Sequence, residues 1–218
     1  MTFNEIKDNA DIRTYIKKAD EALNALGYTE HSFAHVTKVA DTAASILTTL
    51  GYDERTVELA RIAGYLHDIG NLVNRVDHSQ SGAVMAFRIL DKLGMSADEI
   101  STIVSAIGNH DEGTGVPVNS VAAALIIADK CDVRRSRVRN NDRSSFDIHD
   151  RVNYSVESSE VRVSPDARSV ILELRVDQSI SSVMDYFQIF IGRMQMSRLA
   201  ANALGLNFGL IINGQALL

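Results

Sequence analysis

A histidine and an aspartate stand side by side at the end of an apolar run, in Gly64-Tyr65-Leu66-His67-Asp68-Ile69-Gly70-Asn71. Side chains of adjacent residues point in different directions, so this imidazole and carboxylate form no chelate by themselves. At a helix end such a pair is more typical of a solvated terminus than of a metal site. Its chemistry therefore depends on whether the fold brings other ligands to it.

Further ligand-type residues lie on both sides of the pair. Five of the six histidines fall between residues 31 and 110, each near a helix end or on a helix that flanks one apolar core. The candidate ligands in chain order are His35, His67, Asp68, His78, His110 and Asp129. Mixed imidazole and carboxylate ligands suit divalent Mn, Fe, Co, Ni or Zn, with Mg as a further candidate, and no thiolate is placed to form a soft site.

Cationic side chains follow Asp129 in the sequence. They are Lys130, Arg134, Arg135, Arg137 and Arg139. Planar guanidinium groups match phosphate oxygens, so we predict that Lys130, Arg134 and Arg137 bind substrate. The alternative is a solvated helix face.

Length and charge restrict the function classes. The 218 residues, of which 45% are hydrophobic, suit one good-sized domain or one domain with a small appendage, and a net charge of -6 argues against general nucleic-acid binding. A single cysteine, no signal-peptide pattern and no apolar run near the roughly 20 residues that span a bilayer indicate a cytoplasmic protein without a membrane partner.

Hydrophobic periodicity predicts a series of helices. Their expected bounds are 5–26, 32–50, 54–67, 80–93, a helix from the capping box at Ser96 to Asn109, and a helix from Asn119 or Ser120 to Asp129 that continues into the arginine run. Strands are expected at 161–163, 170–176 and 208–212, with a long helix over 179–203.

We predict a helical domain at 1–140, an irregular connection at 141–157 and a small α+β unit at 158–218. The apolar surface of the last helix, with Met184, Phe187, Phe190, Met194 and Met196, indicates either the core of this unit or a homodimer interface.

The order and spacing of the ligands resemble the HD phosphohydrolase superfamily. The matching stretches are His35-Val36-Thr37-Lys38-Val39, His67-Asp68-Ile69-Gly70 and Ile127-Ala128-Asp129-Lys130, within roughly residues 29 to 139. The resemblance implies a mainly α fold, a helical HD-domain bundle, in which His35, His67, Asp68 and Asp129 bind one divalent ion.

Two further histidines resemble those of the binuclear members. The resemblance implies that His78 and His110 complete a second ion and that Asp68 bridges the two. Two ions about 3.5 to 4 Å apart can share a hydroxide and clamp a phosphoryl group. The segment 109–117 faintly echoes the HD-GYP subgroup, but Asn71, Asn109 and Val116 depart from its signature, which puts cyclic dinucleotide specificity in doubt.

The resemblance implies a metal-dependent phosphohydrolase, either a phosphomonoesterase or a phosphodiesterase. Its substrate would be a nucleotide or similar small metabolite, its catalytic residues Asp68 and His67, and its chemical step the attack of a metal-activated hydroxide at phosphorus. Two alternatives stay open: a di-iron HD oxygenase, which carries the same ligand set, and a non-catalytic regulatory module that binds a nucleotide. We expect His31 to act as a cap or a support for a ligand, and His149 to lie on the surface.

Overall fold

Seven α-helices precede a smaller part that contains two further helices and a sheet. The computed structural model describes all 218 residues. The helices are α1 Phe3–Asp8, α2 Ala10–Ala25, α3 Phe33–Thr49, α4 Glu54–Leu66, α5 His78–Lys92, α6 Ala97–Gly108, α7 Ser120–Lys130, α8 Ile148–Ser155 and α9 Val183–Ala203. The strands are β1 Val156–Ser164, β2 Ser169–Val176, β3 Asn207–Ile212 and β4 Gln215–Ala216. The predicted fold class, mainly α with a small C-terminal α+β unit, is confirmed.

Helix α7 lies at the centre because its residues are apolar on every face. Every side chain from Val121 to Ala128 is buried, and α7 packs against α3, α4, α6 and α9. Asn119 starts the helix, since its Oδ1 accepts a hydrogen bond from the Ala122 amide at 2.7 Å. Because packed helices surround α7, its position is fixed. Asp129 and Lys130 at its end are therefore held in place relative to α3 and α4.

One helix boundary and one helix cap differ from the predicted ones. The single helix expected over 5–26 is divided at Asn9, whose Oδ1 accepts from the Ile12 amide at 3.1 Å and starts a new helix. At Ser96 only half of the expected capping box forms. Ser96 Oγ accepts from the Glu99 amide, but the Glu99 carboxylate accepts from Arg55 Nε at 2.6 Å instead of reaching back.

The prediction that the arginine run continues α7 is wrong. The helix ends at Lys130, and a 3-10 turn covers Arg135–Arg137. The physical reason is the buried guanidinium of Arg137, which donates to the Asp132 carbonyl at 2.8 Å and to the Glu30 carbonyl at 2.9 Å. These bonds fold the chain back onto the loop that precedes α3.

The expected irregular connection at 141–157 is also wrong. It contains a 3-10 turn at Arg143–Ser145 and helix α8, and β1 already begins at Val156. Asp147 starts α8 by accepting from the Asp150 amide at 2.8 Å. This local cap organises a segment that has too few aliphatic residues to show a helical period.

The sheet has the order β1-β2-β3-β4. Strands β1 and β2 are antiparallel, β2 and β3 are parallel with α9 as the crossover, and the short β4 pairs antiparallel with β3. One cluster of 50 buried hydrophobic side chains extends from Phe3 in α1 to Ile212 in β3. The division into units at 1–140 and 158–218 therefore stays a prediction. No helix is both long and apolar enough to cross a bilayer.

Candidate metal centre

Two glycines allow the elements that carry the histidines to approach closely. A Cβ on Gly64 of α4 would lie 2.7 Å from the Cα atom of Ala40, so α3 and α4 pack backbone to backbone there. A Cβ on Gly70 would overlap the carbonyl oxygen of His78 and the amide nitrogen of Gly82 at the start of α5. The first contact brings His35 beside His67, and the second brings His78 beside Asp68.

Six predicted ligands meet at this point. His35 Nε2 lies 3.5 Å from Asp68 Oδ2 and 3.4 Å from Asp129 Oδ1. His67 Nε2 lies 3.3 Å and 3.6 Å from the same two oxygens. The rings of His67 and His78 each lie 5.0 Å, between centroids, from the ring of His110. All four of these histidines and Asp68 are buried.

Hydrogen bonds at the outer nitrogen fix each imidazole. The Nδ1 atoms of His67, His78 and His110 lie 2.7, 3.0 and 2.7 Å from the carbonyl oxygens of Gly64, Arg75 and Ile107. Carbonyl oxygens only accept, so each Nδ1 carries a hydrogen, and each Nε2 points inward, where its lone pair can bind a metal ion once the imidazole is neutral. His35 is fixed in the same sense, with Nδ1 2.8 Å from Asp132 Oδ2. Metal-binding histidines in proteins are oriented in this way.

Three of the inward atoms have no hydrogen-bond partner although they are buried. They are His35 Nε2, His67 Nε2 and Asp68 Oδ2. Unpaired buried lone pairs are costly unless a cation satisfies them. Ligands about 2.1 Å from one ion in a tetrahedron are about 3.4 Å apart, which is near the observed spacings. His35, His67, Asp68 and Asp129 therefore fit a divalent metal.

The two oxygens of Asp68 face different histidines. Oδ2 faces His35 and His67, whereas Oδ1 lies 3.6 Å from His78 Nε2 and accepts from Asn71 Nδ2 at 2.8 Å. His78 Nε2 and His110 Nε2 are only 3.1 Å apart, so two lone pairs face each other there. The ligand atoms of His67, Asp68 and His110 also lie within 4.8 Å of one another, as do those of His35, His67 and Asp129.

The carboxylates give the centre a strong affinity for positive charge. Burial opposes a charge on His67, but Asp68 and Asp129 outweigh it and raise the pKa of His67 to about 10. Burial also acts against the charge of Asp68, yet the neighbouring imidazoles hold its pKa well below the usual range. Burial lowers the pKa of His78 and of His110, which keeps both imidazoles neutral. The centre thus attracts positive charge, and His78 and His110 offer neutral nitrogens to a cation.

Charged groups support the ligands from outside. Lys130 Nζ lies 2.9 Å from Asp129 Oδ2 and 3.4 Å from Glu112 Oε1. Asp132 accepts from Arg134 Nε at 3.0 Å, and it also accepts from His35 Nδ1. Sequence spacing gave no signal for this second contact.

A cavity of about 370 Å³ opens beside the ligands. Its walls come from the loop before α3, from α8 and α9, and from Arg75, whose Nη1 lies 3.8 Å from Asp68 Oδ1 and 3.2 Å from His78 Nε2. The arginines that line it are Arg75, Arg137 and Arg193. Arg75 and Arg193 lie far from the ligand motifs in the sequence, so sequence reasoning missed them.

The predicted substrate-binding residues occupy different positions. Arg137 lines the cavity. Lys130 is buried and pairs with Glu112 of the cavity wall. Arg134 does not line the cavity and pairs with Asp132 and Glu30. Their contact with substrate stays a prediction. The remaining two histidines, His31 and His149, line the cavity; His31 Nδ1 lies 2.6 Å from the Thr29 carbonyl, and His149 is exposed.

A known protein family matches the part of the chain that contains the predicted ligands. Residues 32–134 match the HD domain family. The HD segment contains His35, the His67-Asp68 pair, both further histidines and Asp129, and it ends just before the 3-10 turn at Arg135. Helices α8 and α9 lie outside it.

Two relatives were found over larger parts of the chain. An uncharacterised protein of Methanocaldococcus jannaschii, MJ1020, is 27% identical over an alignment that covers 74% of this chain and 71% of that protein. The crystal structure of a predicted HD superfamily hydrolase from an uncultured Thermotogales bacterium is 24% identical, covers 57% of this chain and 67% of that chain, and has a TM-score of 0.44.

Proposed function

We propose that the chain is a metal-dependent phosphohydrolase that acts on a phosphate ester of a nucleotide or similar small metabolite. One observation carries the proposal: four imidazoles with fixed Nδ1 atoms turn their Nε2 atoms toward the buried carboxylate of Asp68 and the half-buried carboxylate of Asp129. Such a cluster is stable only around positive charge.

The proposed ligand assignment follows the two sides of Asp68. His35, His67 and Asp129 would hold one ion, His78 and His110 a second, and Asp68 would reach both with its separate oxygens. Divalent ions in such a centre activate water and stabilise the charge of a phosphoryl group. Lys130 holds Asp129 in place, and Asn71 holds Asp68 Oδ1, so neither carboxylate can rotate freely.

The arginines of the cavity support a phosphorylated substrate, although Glu112, Asp147 and Asp150 also line it. Arg75, Arg137 and Arg193 lie in its wall, and guanidinium groups bind phosphate oxygens in pairs. Dioxygen, the co-substrate of the oxygenase alternative, is neutral, so arginine side chains would not attract it. The volume lies in the range of about 300 to 1,000 Å³ that is usual for small-molecule sites.

A phosphate-release screen tests the proposal. The purified protein is supplied with Mn, Mg, Co, Ni or Zn and offered p-nitrophenyl phosphate, nucleotides and sugar phosphates. We expect metal-dependent release of phosphate from at least one substrate, its loss in Asp68→Ala, and its retention in Asp91→Ala, an exposed control on α5. Oxygen consumption by the iron-loaded protein without phosphate release would favour the oxygenase, and tight nucleotide binding without turnover would favour a regulatory module.

A further inference from the structure

The C-terminal helix α9 contributes directly to the wall of the cavity. Arg193 and Phe190 line it from α9, together with Arg75 and residues of the loop before α3. Helix α8 adds Asn153 to the same wall. The part of the chain beyond the HD segment therefore bounds the space in which a ligand of the metal centre would lie.

Arg193 is held in place while its outer nitrogens stay free. Its guanidinium carbon lies 4.5 Å from the centroid of the Phe190 ring, and its Nε lies 3.1 Å from Glu112 Oε1. These contacts leave Nη1 and Nη2, the paired donors that match two phosphate oxygens. The Arg193 side chain is 27% exposed, so these donors are accessible from the cavity.

The other two arginines of the wall are not equivalent. Arg137 is buried, and its Nε and Nη1 donate to the carbonyl oxygens of Glu30 and Asp132. Arg75 is 28% exposed and lies between the cavity and Asp68. Two accessible guanidinium groups, Arg75 and Arg193, thus face the cavity.

We propose that Arg193 of α9 and Arg75 bind the phosphate group of a small phosphomonoester in this cavity. The inference rests on the proposed function, and it selects monoesters over diesters. A phosphomonoester is a dianion near neutral pH, whereas a diester carries one charge and a second organic group. A monoester also offers three terminal oxygens to the paired donors of two guanidinium groups, whereas a diester offers two.

Substitution of Arg193 tests the inference, with Arg198 as the matched control. Arg198 lies on the same helix, is exposed and takes part in no ion pair. For p-nitrophenyl phosphate we expect Arg193→Gln to raise KM about tenfold with little change in kcat. The KM of Arg193→Lys should lie between those of the wild type and Arg193→Gln, and the KM of Arg198→Gln should equal that of the wild type. Arg75→Gln should also raise KM, and its metal content is measured because Arg75 lies near Asp68.

A binding measurement separates this inference from the proposed function. Calorimetry with inorganic phosphate should show about tenfold weaker binding to Arg193→Gln than to the wild type or Arg198→Gln, at equal metal content and equal unfolding temperature. Arg193-dependent phosphate binding in a protein that hydrolyses no ester would overturn the proposed function and keep the anion site. Hydrolysis with the same KM and phosphate affinity in Arg193→Gln and Arg198→Gln would overturn the inference and keep the function. Faster hydrolysis of bis(p-nitrophenyl) phosphate than of p-nitrophenyl phosphate would overturn the choice of monoesters.

Discussion

His35 Nδ1 lies 2.8 Å from Asp132 Oδ2, and both side chains are completely buried. Burial acts against the charge of Asp132, but the bond from His35 and the guanidinium of Arg137 hold its pKa below the usual range. Asp132 is therefore an anion that accepts the Nδ1 hydrogen and directs Nε2 of His35 toward Asp68 and Asp129. It acts on the metal centre through His35 and not as a ligand.

Replacement of Asp132 by Asn should weaken metal binding without removing a ligand. An amide is a weaker acceptor than a carboxylate, and loss of such a support lowers metal affinity by about 10- to 100-fold. Competition with a chelator measures this, with Asp41→Asn as control, since Asp41 makes an exposed pair with Arg61. Equal metal affinity in Asp132→Asn and the wild type would contradict the role given to Asp132.

Two glycine-to-alanine substitutions should have opposite effects on stability. Both Gly64 and Gly192 lie inside helices, where alanine is favoured by roughly 0.5 to 1 kcal/mol. At Gly192 no atom lies within 4 Å of an added Cβ, so Gly192→Ala should leave the protein as stable or more stable. At Gly64 the Cβ would lie 2.7 Å from Ala40, so Gly64→Ala should lower the free energy of unfolding by about 1 to 3 kcal/mol. Denaturant unfolding of both variants distinguishes this from a general effect of helix propensity, which would stabilise both.

The sequence predicted which ligand-type side chains would meet better than it predicted their surroundings. Each of the six ligand positions stands at a helix start, a helix end or on a helix of strong apolar period, so their order could be read without a structure. Asp132 could not be assigned to His35, because 97 residues separate them and no periodicity records that contact. Arg193 was missed for the same reason, since its place beside Glu112 depends on how α9 packs against the helical part.

Local hydrogen bonds explain the wrong boundaries. Asn9 ends one helix and starts the next, and Asp147 starts α8 in a segment without an apolar period. Such side chains occur both in loops and at helix starts, so sequence alone did not decide between the two. The apolar side chains of α9 were expected either in the core or in a homodimer interface; Met184 is 73% exposed, whereas Phe190, Met194 and Met196 are buried.

Metal binding should release protons. In the metal-free protein the pKa of His67 is raised to about 10, so its imidazole is protonated at pH 8 and must lose that proton to bind an ion. This charge stabilises the metal-free fold fully below the unfolded pKa of about 6.5, and the contribution is lost as the pH rises through 10. Calorimetry at pH 8 in buffers of different ionisation enthalpy should show release of at least about one proton per chain, less at pH 10. Identical enthalpies in all buffers would contradict the assignment of His67 as a ligand.

The expected homodimer can be tested on α9. Met184, Ile191 and Leu199 are exposed on this helix although all three are large and apolar. If two copies of the chain associate through this surface, the wild type should have the mass of a dimer in solution, and Ile191→Glu should be monomeric. Val84→Glu, at an exposed position on α5, should remain a dimer. A monomeric wild type would refute the prediction.

The central claim is that Asp68 joins ligands for two divalent ions. The most direct test is elemental analysis of the wild type and of Asp68→Ala after dialysis against each metal. We predict two bound ions per wild-type chain, and none retained in Asp68→Ala, with Asp91→Ala unchanged. A wild type that binds no ion, or an Asp68→Ala variant that keeps the full metal content, would contradict the account.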